Sequence, residues 1–102
     1  MQYQLVLQFP GQDVEDFEDL IHLEDILITS LGANHVVDGH DFGARAMNIF
    51  ILTDDPENAF EKAKNTLHHS LLDTMKAAYR KATGNDYIVI WPQGFSGTFS
   101  VL

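Results

Sequence analysis

Val36-Val37-Asp38-Gly39-His40-Asp41-Phe42-Gly43-Ala44-Arg45-Ala46-Met47-Asn48-Ile49-Phe50-Ile51-Leu52-Thr53 is the stretch on which the fold turns. Met47 to Thr53 is largely apolar on both faces, the pattern of a central strand covered on both sides. Val36 and Val37 open a strand shortly before it, so the pair reads as a hairpin. Two turns fit. Asp38-Gly39 is a strong two-residue turn signal, whereas Gly43-Ala44-Arg45 is better placed if His40 to Phe42 continue the strand. The later turn, with a bulge near Gly39, is the preferred reading.

Upstream, Gln2 to Phe9 alternates, with Tyr3, Leu5, Leu7 and Phe9 on one side and Gln2, Gln4, Val6 and Gln8 on the other, the period of a strand. Pro10-Gly11 ends it. A helix from Val14 to Leu31 follows, capped by Asp13 and closed by Gly32. Val14, Phe17, Leu20, Ile21, Leu27, Ile28 and Leu31 form its apolar stripe, with Glu15, Glu18, Asp19 and Asp25 opposite.

Downstream, Asp55-Pro56-Glu57 starts a second helix, an acceptor at the cap and proline in the first turn. Phe60, Ala63, Leu67, Leu71, Ala78 and Ala82 keep one stripe, long enough that a break is expected near His68-His69-Ser70. Ser70-Leu71-Leu72-Asp73 resembles a capping box there. Asp86 to Trp91 reads as the last core strand, stopped by Pro92, and Thr98 to Leu102 as a short added edge strand.

The order is that of an α+β ferredoxin-like βαββαβ sandwich, a four-stranded antiparallel sheet with helices on one face and an extra C-terminal strand. The first and third strands should be central. Gln4, Val6 and Gln8 should lie beside Asn48, Phe50 and Leu52 on an uncovered face, available as a dimer interface or ligand floor.

With 102 residues and 45% apolar content, one domain is expected over residues 1–102. There is no cysteine, so disulfides, thiolate metal sites and cysteine nucleophiles are excluded. Met1 leads straight into the alternating stretch without a basic and then apolar leader, so cytoplasmic residence is the expectation. No apolar run approaches the roughly 18 residues of a membrane span. Nucleic acid is disfavoured because the six bases are outnumbered by fifteen acids. No cofactor or metal is called for by any motif.

The charge is lopsided. Residues 1–44 hold nine carboxylates and no Lys or Arg, while the remainder hold six of each sign, so the net −9 resides in the N-terminal part. A single-sign field speeds encounter with a basic partner.

The densest polar cluster is Asp38, His40 and Asp41. Asp38 could orient His40 as a general base, or the three could share a divalent ion; a turn whose carboxylates bond backbone amides explains the same residues and is the preferred reading. His35 alternates to the other face from His40 unless a bulge near Gly39 reverses the phase. Glu24 falls in the apolar stripe of the first helix, where a carboxylate needs an internal partner, the hairpin, Asn48 or Arg45, unless the helix ends or bends before it and leaves it in water. His68-His69 reads as a solvated helix end, Tyr79-Arg80-Lys81 as cations complementing a helix terminus, and Trp91 as packing over the sheet edge.

Leu23-Glu24-Asp25, Val37 to Gly43, Asn48-Ile49-Phe50-Ile51 and Ala77-Ala78-Tyr79-Arg80 together resemble a small bacterial family of uncharacterised domains, over most of the chain. The resemblance implies a single cytosolic domain and no particular chemistry, and points to the hairpin cluster and Glu24.

Two functional readings follow. The first is a non-enzymatic acidic interaction domain, self-associating or docking a basic protein as an inhibitor or immunity protein does. Glu15, Glu18, Asp19 and Asp25 would supply attraction, with Phe50 and Trp91 as apolar anchors. The second is a small enzyme or ligand-binding domain with His40 as base, Asp38 or Asp41 orienting it, and Glu24 as a further carboxylate.

Overall fold

A computed structural model of the chain describes residues 2–10, 17–42, 46–67, 69–95, 97 and 99, with 17–20, 42, 69 and 70 described by backbone alone. The elements are β1 (Tyr3–Pro10), α1 (Phe17–Leu31), β2 (His35–Phe42), β3 (Ala46–Thr53), α2 (Pro56–Thr66), α3 (His69–Thr74), β4 (Lys76–Lys81) and β5 (Ile88–Trp91). The strands form one five-stranded antiparallel sheet in the order β2-β3-β1-β4-β5. The architecture is therefore α+β, and β1 and β3 are interior strands, as their composition requires.

Alternation in β1 sorts the two faces. Leu5, Leu7 and Phe9 lie opposite Ile51, Ile49 and Met47 of β3, and Leu5 and Leu7 also face Tyr79 and Ala77 of β4. This layer packs against Leu23, Leu27 and Leu31 of α1 and Ala59, Phe60 and Ala63 of α2, giving the main core. Gly32 follows α1 with φ +76, the left-handed geometry that ends a helix. Asp55 caps α2 by accepting from the Asn58 N–H at 3.0 Å, with Pro56 in the first turn. The hairpin strands end at Phe42 and resume at Ala46. The Gly43-Ala44-Arg45 turn itself, the Asp13 cap, the start of α1 at Val14 and most of the Thr98–Leu102 strand lie outside the described residues.

Two expectations are corrected. The break expected near His68-His69-Ser70 is found, with α2 ending before Leu67, extended at φ −76 and ψ 146, and α3 starting at His69; the second helix, expected to run on through Ala78 and Ala82, instead ends at Thr74, and the chain becomes β4. Ala77 and Ala78, read as helical, are fully buried strand residues beside β1. Alanine favours helices only locally; here a small residue on each face lets β4 pack closely, and tertiary burial outweighs that preference. The strand read as the last core strand consequently becomes the edge strand β5, beyond β4.

The second correction concerns the face expected to be open. Val6 and Ala78 are fully buried there and Phe99 packs on them, with Phe50, Tyr87 and Val89 alongside. The Phe99 and Tyr87 rings lie 5.0 Å apart. On the same face Gln8 Nε2 donates to Asn48 Oδ1 at 3.0 Å, both side chains buried. A buried amide pair is tolerated because each satisfies the other.

Among the described residues, no helix is long and apolar enough to cross a membrane.

Candidate functional site

The bulge in β2 decides which hairpin residues meet the helices. Val37 is opposite Ile51 and Gly39 opposite Phe50, so Asp38 is the extra residue and the side-chain phase reverses behind it. His40 then sits opposite Ile49 on the helix face, the face His35 shares through its pairing with Thr53, while Asp41 sits opposite Asn48 on the other. Gly39 makes this possible. Its φ of +130 is a conformation that side chains rarely adopt, and a Cβ there would meet nothing within 4 Å, so the requirement is one of backbone rather than space.

Turned inward, His40 meets Glu24. Nδ1 of His40 is 2.8 Å from Oε1 of Glu24. Glu24 is 9% exposed on the helix row between Leu23 and Leu27, and the His40 side chain is 26% exposed. The contact is of hydrogen-bond length, and through it Glu24 sets the ring's orientation. Of the partners considered for Glu24, the hairpin is the one found; Asn48 lies on the opposite face with Gln8, and Arg45 lies outside the described residues.

The expected cluster is thus only half assembled. Asp38 and Asp41 are both exposed, and the contact described for His40 is with Glu24. One faces away because of strand alternation, and the other is the bulged residue. Among the described residues, no group of three His, Asp or Glu side chains could hold a metal ion, so the sharing of a divalent ion by Asp38, His40 and Asp41 is not supported.

The acidic face depends on where the cations go. Lys64 lies 3.4 Å from Glu61 and over the Phe60 and Trp91 rings, and Lys76 lies over Phe95. Arg80 Nη1 donates to the carbonyls of Lys81, Ala82 and Gly84. Among the described side chains, none of these cations pairs with Glu24, Asp25, Asp38 or Asp41. Asp25 is exposed on α1. Glu18 and Asp19 are placed there by backbone alone, and Glu15 lies outside the described residues. Phe50 is half-buried against Val6 and Ala78, and Trp91 packs on Phe60 while its Nε1–H donates to the Leu72 carbonyl at 2.9 Å. Both are largely occupied within the fold.

A second polar cluster was not singled out as a unit. His35 is buried, with Nδ1 2.6 Å from Thr53 Oγ1 and Nε2 2.9 Å from Asn58 Oδ1. Thr53 Oγ1 also accepts from the Asp55 N–H at 2.9 Å. The ring ties the start of β2 to the end of β3 and the first turn of α2. The signal lay in Thr53-Asp54-Asp55-Pro56-Glu57-Asn58, where Asn58 occupies the capping-box position but turns its side chain to His35.

Comparison of the chain with protein-family models, curated proteins and solved structures gives no match.

Proposed function

We propose that this chain is a non-enzymatic acidic interaction domain, a ferredoxin-like βαββαβ sandwich extended by β5, that docks a basic protein surface in the manner of an inhibitor or immunity protein. The observation that carries the reading is the segregation of charge: Lys64 pairs with Glu61, Lys76 lies over Phe95 and Arg80 holds the β4–β5 connection, while residues 1–44 carry nine carboxylates and no Lys or Arg. Asp25 is exposed, and by sequence spacing Glu15, Glu18 and Asp19 belong to the same acidic side of the helix, so together they supply the attraction for a basic surface. Because the buried row is Leu23, Glu24, Leu27 and Leu31, Ile21 and Ile28, expected in the buried stripe of the helix with Asp25 opposite, are instead exposed and by spacing share a face with Asp25. They serve better as anchors than Phe50 or Trp91, which are packed inside. Self-association is the weaker form of the idea, because two copies each carrying −9 repel. The test is charge reversal: E18K/D19K/D25K should abolish capture of a partner that the equivalent reversal on α2, E57K/E61K, leaves intact. Equal capture by both variants would overturn the assignment to α1.

The Glu24–His40 contact supports a second reading, a small enzyme or ligand-binding domain in which Glu24 holds the imidazole as a carboxylate holds a general-base histidine. Asp38 and Asp41 have no part in it. A fragment screen read on the His40 ring signals tests it: saturable shifts support it, and their absence removes it.

A further inference from the structure

We infer that the corner of the sheet formed by Tyr3, Tyr79, Lys81 and Ile88 is a binding site for a small aromatic anion, an aromatic carboxylic acid in chemical class. It goes beyond the docking function and involves no residue of α1.

Strand register brings the four together. Tyr3 is opposite Lys81, and Tyr79 is opposite Ile88, while Tyr79 shares its face with Tyr3 through the pairing of Leu5 with Tyr79. The two phenol rings stand edge to face, centroids 5.6 Å apart at 84°. Ile88 is 54% exposed beside them. The cleft has a volume of about 320 Å³, at the lower end of the range for small-molecule sites, and Gly84 to Asp86 form its wall. Among the described residues, neither phenol hydroxyl has a hydrogen-bond partner, so both are open to a ligand.

The wall is already ordered. Nη1 of Arg80 donates to the carbonyl oxygens of Lys81, Ala82 and Gly84 at 3.1, 3.0 and 2.9 Å. The Gly84 N–H donates to the Lys81 carbonyl at 2.9 Å, and the Ala82 N–H to the Gln2 carbonyl at 3.0 Å. A connection pinned in this way loses little freedom when a ligand arrives.

Charge selects the ligand. Lys81 and Asp86 line this cleft together with Arg80, which is held by the Lys81, Ala82 and Gly84 carbonyls and lies over the Tyr87 ring, so two positive groups meet one negative in a chain of net −9. The other described clefts have the reverse balance: Glu57 and Glu61 against Lys64, Asp54 and Asp55 without a Lys or Arg, and Asp25 without one. An aromatic ring fits between the tyrosine edges and Ile88, and a carboxylate reaches Lys81. Neutral aromatics would gain the ring contacts alone.

Heteronuclear NMR titration with para-hydroxybenzoate and with para-hydroxybenzyl alcohol tests this on the intact chain. The acid should give saturable shifts on amides of residues 79–88 with a Kd of about 1 mM, typical of so small a ligand. Lys81→Glu should weaken the acid about fivefold or more and leave the alcohol unchanged, and Ile88→Glu should remove both. Both positions are exposed, so the amide dispersion of each variant should match the parent. No saturation by about 20 mM, shifts scattered away from the corner, or equal affinity of the acid for Lys81→Glu would overturn the proposal.

Discussion

Replacing Gly39 by alanine isolates the device that brings His40 to Glu24. Its φ is +130, and the added methyl would meet nothing within 4 Å, so no steric clash contributes and the cost is that of the backbone alone. For a residue with a Cβ in that region the cost is about 2 kcal/mol. With a urea dependence of about 1.5 kcal/mol per molar for a domain of this size, the unfolding midpoint should fall by about 1.3 M without a change in slope. The chain has one cheap escape, to lose the bulge and slide β2 by a residue, but that would turn His40 to the other face and leave the largely buried Glu24 without its 2.8 Å partner. A Gly39→Ala, Glu24→Gln double variant should therefore be less destabilised than the sum of its parts. If Gly39→Ala moved the midpoint by less than about 0.3 M, the bulge would be under no strain, and the argument for its role would be refuted.

His35→Ala takes one of two partners from the buried Thr53 hydroxyl, which keeps the Asp55 N–H, frees the side-chain oxygen of Asn58 and empties the ring's volume; about 2 kcal/mol of stability should be lost in urea unfolding. Asp55→Ala removes the acceptor for the Asn58 N–H at the start of α2, which should cost about 1 kcal/mol and lower the thermal midpoint by about 5 °C, while Asp55→Asn should be nearly silent. Phe99→Ala should cost about 3 kcal/mol and raise the fluorescence or dye binding that reports exposed apolar surface over Val6 and Ala78.

The parts legible in the sequence were those with strong local punctuation. Alternation fixed β1, the doubly apolar run fixed β3, Asp55-Pro56 placed the start of α2, and Asp38-Gly39 marked the bulge without settling its consequence. Glu24 stood out because a carboxylate in an apolar stripe must find a partner, and it does. What was not legible depended on neighbours distant in the chain. Ala77 and Ala78 continue a helical period with Leu67 and Leu71, and only the availability of β1 as a pairing edge makes them a strand. The coverage of Val6 by Phe99 joins residues far apart in the chain and leaves no local signal. The separation of Asp41 from His40 followed from alternation, whereas the union of His40 with Glu24 needed one extra residue in β2, a difference that no spacing rule resolves by itself.

The central claim is that negative potential gathered on α1 and the hairpin recruits a basic protein. Retention of cellular proteins on the immobilised chain at low and at high salt, with sedimentation of the free chain alongside, tests it most directly. The account predicts a basic protein held at low salt, released at high salt, and lost when E18K/D19K/D25K replaces the parent. A strictly monomeric chain that retains nothing at either salt would contradict it.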